Sequence, residues 1–464
     1  MQDLDKRSWL VPATASLILI PTAAGASGFA LLEQSASRLG TAFSGTAAAA
    51  DDATTVFFNP AGMTALSQPE AVVSASGIDI SSQFRNDSSI PAFAQPLGGN
   101  GGDAGDWNFV PAAYFAMPAG DNLAFGIGVN APFGLKLVYD DDWIGRFQAL
   151  RSEISTLNIN PSVAYKIGER FSIGAGVNFQ RLDAELTNDV NYSAVIAQGV
   201  QQLVAAGQLP PATGAAIVAA NAGLAGHARV RGDDDAWGFN VGALFALSEQ
   251  TRIGLSYRSS IDYDVGATIS FAAPTGADAI ANAIIAAASA TGAPLSSGPV
   301  RVDLELPDSA TLSLEHRFGE KFAVLADAAW TGWSSIQELR IVRDTGETVS
   351  LTPERWRDTW RYALGTTYAM NDSLTLRAGV AFDETPVPDS TRTPRLPDTD
   401  RTWVAIGARW QPSASLLLDF GYAHLFSDTV PLNQDAGNVA ASALLNGKQH
   451  SDIDIVSAQL VYRF

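Results

Sequence analysis

The sequence predicts an all-β fold, a 14-stranded antiparallel transmembrane β-barrel with a small N-terminal helical hatch in its lumen. Three observations carry that expectation. Stretches of about ten residues alternate apolar with polar or small residues, the pattern of strands that cross an outer membrane. At the C-terminus Val456, Ala458, Leu460, Tyr462 and Phe464 share one face, while Ser457, Gln459 and Arg463 share the other. Connections alternate in length, with short polar turns at 118–121, 168–170, 248–251, 319–321, 370–372 and 412–415 and long links at 192–226, 273–300 and 428–448. Short periplasmic turns and long outer loops sort in this way, and a soluble β-sandwich has no reason to do so. Finally, charged residues are 17% of the chain, below the roughly 25% of soluble domains. Yet no segment past the N-terminus offers the roughly 20 apolar residues of a membrane helix.

Taken in order, residues 1–26 read as a secretory leader. Lys6 and Arg7 give a basic start, Trp9 to Ile20 is apolar, and Ala24-Gly25-Ala26 is a small-residue cleavage site. Residues 27–68 are the expected hatch, rich in Ala and Gly. They would fill part of a lumen that is otherwise an aqueous channel. Residues 69–464 form the barrel, with strands near 70–87, 107–118, 121–138, 151–167, 170–191, 228–247, 250–272, 301–318, 321–343, 354–369, 372–385, 399–411, 414–427 and 450–464. An even count closes the wall, as lipid requires. The third strand contains Asn130-Ala131-Pro132-Phe133-Gly134. Proline cannot donate to a β ladder, so Pro132, Phe133 and Gly134 mark a break in pairing. Pro161 in the fourth strand disturbs the same region. Links 193–225 and 277–291 have helical spacing, with Val195, Ile196, Val200, Leu203 and Val204 on one face. Such helices either pack on each other over the mouth or offer an apolar landing surface.

Several functions are disfavoured. A net charge of −19 argues against nucleic acid. With no Cys and four His, neither a metal site nor a cofactor is expected. Asp140-Asp141-Asp142 and Asp233-Asp234-Asp235 read as a solvated acidic rim. Gly174-Ala175-Gly176 lacks the third glycine of a dinucleotide motif, and no Gly-x-Ser-x-Gly elbow is present. Lumen-facing charges of both signs, among them Arg252, Arg258, Glu315, Arg317, Asp327, Arg361, Arg377, Arg409 and Asp419, are expected to pair with one another and tether the hatch.

The chain resembles the FadL-type outer-membrane transporters of long-chain fatty acids and aromatic hydrocarbons. The resemblance rests on Gly28-Phe29, Glu33-Gln34-Ser35, Leu39-Gly40, the run Asp51–Met63 with Asn59-Pro60-Ala61 as its hatch motif, and Pro307. Trp330-Thr331-Gly332-Trp333-Ser334, Phe382 to Pro388 and Pro397 to Arg401 extend it over the rest of the chain. It implies that ligand passes from an apolar outer groove to a tighter site inside the barrel. A shift of the extreme N-terminus, where Phe29 lies, then opens a route to a gap at the kinked third strand, with no energy source coupled. It also implies basic ligand partners near the fifth strand and before the tenth, where this chain has Arg181, Arg355 and Arg357. The register differs there, the aligned positions being Asp183 and Thr352, which leaves a neutral hydrocarbon open beside a fatty acid.

The function expected from these readings is passive outer-membrane transport of hydrophobic compounds by a monomeric barrel. Its surroundings would be outer-membrane lipid and lipopolysaccharide. The rivals are an outer-membrane lipase-like enzyme, for which His424 and His450 have no evident nucleophile, and a general porin, which would conduct ions freely.

Overall fold

The computed structural model describes residues 28–434 and 438–464; the expected leader and its cleavage after Ala26 lie outside them. Fourteen wall strands form one closed antiparallel barrel. They are β1 (Glu70–Asn86), β2 (Trp107–Ala119), β3 (Leu123–Asn130, resuming at Gly134–Val138), β4 (Arg151–Ile167), β5 (Phe171–Asn191), β6 (Ala225–Ala246) and β7 (Thr251–Arg258 with Ile261–Ala272). The remainder are β8 (Gly298–Leu306 with Ser309–Phe318), β9 (Phe322–Thr331 with Glu338–Arg343), β10 (Thr348–Pro353 with Thr359–Asn371), β11 (Leu374–Asp383), β12 (Arg401–Ser413), β13 (Leu416–Ser427 with Val430–Gln434) and β14 (Leu445–Arg463). The seam closes where β14 pairs with β1, from Glu70 opposite Arg463 to Asn86 opposite Gly447. Alternation sets the two faces. Val456, Leu460, Tyr462 and Phe464 are exposed to the lipid side, while Ser457 and Gln459 are buried in the lumen.

Residues 28–69 lie inside the wall. Short helices α1 (Ala36–Leu39) and α2 (Thr55–Phe58) are followed by a 3-10 turn over Pro60–Ala65. Leu39 and Phe43 pack against Trp403, Ala423 and Ile455, and Val56 and Met63 against Tyr114, Ala124 and Val461. Strand backbones come close because glycines face inward. A Cβ at Gly254 would overlap the Ala47 carbonyl, and one at Gly379 would overlap Thr41. The Asn59-Pro60-Ala61 motif has a physical reason. The Asn59 side chain accepts from the Ala61 amide at 3.1 Å, capping the turn, and donates to the carbonyls of Ala47 at 2.6 Å and Ala243 at 3.0 Å. Proline at the first helical position needs no N–H partner.

Outer links carry α3 (Tyr192–Ala205), α4 (Pro211–Ala220) and α5 (Ala279–Ala288). Ile196, Val200, Ile217 and Ile285 pack together, so these helices cover one another.

Candidate functional site

The site is organised around Phe29. Its ring lies 5.9 Å from Phe133, 5.1 Å from Trp333 and 5.9 Å from Trp356, centroid to centroid. Gly28 makes this seat possible. It has φ +59°, and a Cβ there would lie 2.7 Å from the Trp333 ring; the first condition favours glycine and the second excludes a side chain. The Gly28 amide donates to Asp398 at 3.0 Å, and Asp398 also accepts from Thr385 at 2.6 Å and pairs with Arg401. The 330–334, 382–388 and 397–401 motifs therefore converge on the start of the described chain.

The same segment is stitched to the wall. In β3 the strand breaks between Asn130 and Gly134. Below the break β3 pairs with β2 from Ala113 opposite Val129 to Ala119 opposite Leu123; above it, Gly134–Val138 pairs with β4. Residues 107–112 of β2 therefore have β1 on one side and no β3 ladder on the other among the described residues. Pro132, Phe133 and Gly134 form this break. The Leu31 amide donates to the Pro132 carbonyl at 2.7 Å, and the Gly134 amide donates to the Phe29 carbonyl at 2.8 Å. On β4 the pairing with β5 also lapses at Asn160 and Pro161.

Phe29 forms one wall of an apolar cavity of about 110 Å³ on the outer side of the hatch, lined also by Leu135, Leu182, Val265, Leu304 and Trp356. Its charged lining residues are Glu338, Glu354 and Arg395, joined by the hydroxyls of Ser152 and Thr393. Glu354 accepts from the Trp356 indole at 3.0 Å, and burial pushes its carboxyl up to about 7. The Arg395 guanidinium makes only long contacts, 3.4 Å to the Arg151 carbonyl and 3.3 Å to both the Ser152 hydroxyl and the Asn188 side chain. Burial pulls it down to about 10 and nearby Glu354 opposes this, so it stays cationic at neutral pH.

Of the basic residues expected from sequence, none lines this cavity. Arg181 points outward and pairs with Asp183 at 3.2 Å and Asp233 at 2.7 Å. Its neighbour Leu182 takes the lumen face. Arg355 and Arg357 are exposed, while Glu354 and Trp356 between and beside them turn inward. Arg181 is one residue out of phase, which in a strand exchanges the inner face for the outer one; Arg355 and Arg357 lie in the link between the two segments of β10. Arg395 sits in the loop before β12, where no periodicity marks it; its closeness to the 397–401 motif was the available signal.

Lumen charges mostly pair as expected. Asp419 is held by Arg377 and Arg409, each at 2.7 Å, and Arg409 reaches Asp52 of the hatch at 2.8 Å. Glu315 pairs with Arg317 at 2.9 Å and Arg252 at 3.4 Å. Arg258 and Arg361 instead make no ion pair among the described residues. They donate to hatch carbonyls, Arg258 to Phe57 and Arg361 to Ala42.

Comparison with known proteins bears on this arrangement. The outer membrane protein transport protein family (OMPP1/FadL/TodX) matches residues 17–464. The chain belongs to this family. It is 30% identical over 422 residues to the long-chain fatty acid transport protein of Escherichia coli K12, covering 90% of this chain and 92% of that one. Against outer membrane protein P1 of Haemophilus influenzae it is 30% identical over 481 residues, covering 97% and 98%. The crystal structure of a Pseudomonas aeruginosa FadL homologue superposes with a TM-score of 0.82 at 27% identity, over 94% of this chain and 100% of that one. The Pseudomonas putida toluene transporter TodX shares the fold, with a TM-score of 0.65 at 17% identity over 92% and 97%. As a member of the OMPP1/FadL/TodX family, the chain is an outer-membrane protein that transports hydrophobic compounds and is not an enzyme.

Proposed function

We propose that the chain carries long-chain fatty acids passively, by ligand-gated diffusion through the hatched barrel and out sideways at the β3 kink. The relatives named as long-chain fatty acid transport proteins support the substrate class. One observation carries the mechanism: Phe29 walls the cavity while its own backbone is bonded to the kink. A cavity of about 150 Å³ holds one benzene ring, so about 110 Å³ accepts only part of a long tail. The rest fits only if Phe29 moves, and moving Phe29 draws Leu31 away from Pro132.

The energies match. Seating one Phe ring stabilises by about 2 kcal/mol, and each backbone hydrogen bond by about 1 kcal/mol. A tail burying about five methylenes at ~0.8 kcal/mol each offsets that whole cost. The ligand's own burial therefore suffices as the driving force, and no coupled energy source is needed. Arg395 is the head-group partner in this reading, because a carboxylate in an apolar cavity needs a charged donor. Phe29, Pro132, Phe133 and Gly134 keep the roles expected of them, and Asn59-Pro60-Ala61 anchors the part of the hatch that stays.

The cavity's small volume and apolar lining favour a second reading, a neutral monoaromatic as cargo, which needs less displacement of Phe29 than a long tail. Uptake by a transporter-deficient bacterium separates the two when oleate, toluene and an alkane are compared. The acid reading expects oleate to enter, and Arg395→Met to slow oleate about tenfold while sparing any toluene entry. Equal oleate uptake by wild type and variant would remove Arg395 from the mechanism. Toluene uptake without oleate uptake would transfer the function to the second reading.

A further inference from the structure

A second cavity of about 130 Å³ lies on the inner side of the aromatic cluster, between the hatch and the wall of β6, β7, β8 and β9. Leu31, Phe57 and Phe133 are among its apolar lining, and Asn240, Arg258, Asp327 and Arg361 among its polar lining, with Arg361 turned to the hatch carbonyls. Phe133 separates it from the outer cavity, since its ring packs on Phe29. The polar groups here are donors with little to donate to. Arg258 gives one N–H to the Asn178 side chain at 2.7 Å and one to the Phe57 carbonyl at 3.0 Å, and its guanidinium lies 4.4 Å from the Phe57 ring centroid. It has no carboxylate partner, whereas the cavity's one acid, Asp327, already accepts from the Gly45 amide, the Thr46 amide and the Thr46 hydroxyl. The Asn240 Nδ2 is buried without a partner, although its Oδ1 accepts from Asn160 at 2.9 Å and Asn178 at 3.2 Å.

From this point a row of amides crosses the wall toward the kink. Asn178 Oδ1 accepts from Arg258 and from Asn158 Nδ2 at 3.1 Å; Asn158 Nδ2 also donates to Asn130 Oδ1 at 3.1 Å. Asn130 is the last residue of β3 before the break, and its Nδ2 again is buried and unpartnered. Unmet buried donors cost free energy, so a lumen that carried only hydrocarbon would be better lined without them. A cation, with an unpartnered amide Nδ2 at Asn240 and another at Asn130 joined by amides that can exchange their present acceptors, suits an anionic acceptor that occupies them in turn.

We propose that Arg258 and Asn240 form a second, deeper carboxylate site, and that the Asn178–Asn158–Asn130 row guides the head group from it to the wall opening. The proposal rests on the reading of the cargo as an amphipathic acid. In that reading the tail, seated below Phe29, meets the kink first and enters the bilayer. The head then leaves Arg395, pauses at Arg258 and follows along the amides, so that the charge is never stranded among apolar side chains.

Oleate enriched in carbon-13 at its carboxyl, added to the full chain in detergent micelles, tests this by NMR. Two protein-bound carboxyl resonances are expected beside the micellar one. Arg395→Met should remove one. Arg258→Met should weaken the other by about tenfold or more, Arg258→Lys should retain it, and Ser256→Phe, which fills the cavity but leaves the arginine in the sequence, should remove it. Heat-modifiable gel mobility identifies the folded barrels, and Ser256→Phe keeps the test decisive if Arg258→Met does not fold. A single bound resonance that responds to Arg395 alone would overturn the deeper site and leave the transport reading standing. A second resonance indifferent to both Arg258→Met and Ser256→Phe would also overturn it. No bound resonance at all would overturn the acid reading and this proposal together.

Discussion

Glu33 is the residue whose state most directly reports hatch seating. It follows the kink-bound segment by two positions, is 1% exposed, and its carboxyl finds no hydrogen-bond partner beyond its own backbone amide. Burial pushes its carboxyl up to about 7, although Arg401 and Arg361 pull it down; Asp383 adds to the rise. Seating therefore favours the neutral form of Glu33. Its contribution to stability is complete below the ordinary value of 4.5 and is lost as pH rises through about 7. The thermal midpoint of the barrel should fall between pH 4.5 and pH 8. Glu33→Gln should flatten part of that fall, and Glu33→Gln with Glu354→Gln more of it, since Glu354 titrates over the same window. An unchanged slope in Glu33→Gln would show that Glu33 ionises freely. At this scale sequence reasoning pointed to Phe29, which lines the outer cavity, and did not point to Arg395, which lines it too. Strand phase decides whether an arginine meets ligand or lipid, and a one-residue error inverts the answer, as at Arg181 beside Leu182. Loop residues such as Arg395 have no phase to read.

Among the elements, β3 is the one on which the proposed route depends. Both of its segments pair with β4 but only the lower one pairs with β2, and the Phe29–Leu31 backbone bridges the break between them. Ala30 lies opposite Phe133 there. The chain has no native cysteine, so Ala30→Cys with Phe133→Cys can be crosslinked cleanly. Oxidation should abolish oleate uptake and a reductant should restore it, with Phe133→Cys alone insensitive to both. Full uptake by the crosslinked protein would remove the N-terminal shift from the mechanism. All fourteen wall strands were legible because a lumen and a lipid face impose a two-residue period. The kink was legible because proline cannot sit silently in a ladder. The helices over 193–225 and 277–291 were legible as elements, but whether they cover each other or receive ligand turned on packing that spacing alone does not determine. The hatch's fit was legible in part. Inward glycines such as Gly254 and Gly379 are visible as strand positions, yet what they make room for is visible only in three dimensions.

Across the whole molecule, the hatch divides into a part held by charge and a part held by shape. Asp52 is tied to Arg409, and through it to Asp419 and Arg377 on the wall. Residues 28–31 are held by one aromatic seat, the Gly28 bond to Asp398 and two backbone bonds to the kink. The proposed mechanism therefore moves the second part and leaves the first in place. Deleting residues 27–66 should raise single-channel ion conductance to that of an open pore, while Arg395→Met should leave it at the wild-type level. Equal conductance in the deletion and the wild type would mean that something other than the hatch blocks the bore.

The seam has a bearing on how such a molecule is made. Gln459 lies on the closing strand, and its side chain touches hatch and wall at once: it accepts from Ser35 and the Ala36 amide, and donates to Asp52 at 3.0 Å and Asp419 at 3.4 Å. The first-synthesised part of the described chain and nearly the last thus meet at one amide. Gln459→Leu should slow the appearance of the heat-modifiable band during refolding more than it lowers the final yield. Loading the stopper and zipping the cylinder are then one step of biogenesis, and a barrel sealed empty would have no later chance to be filled.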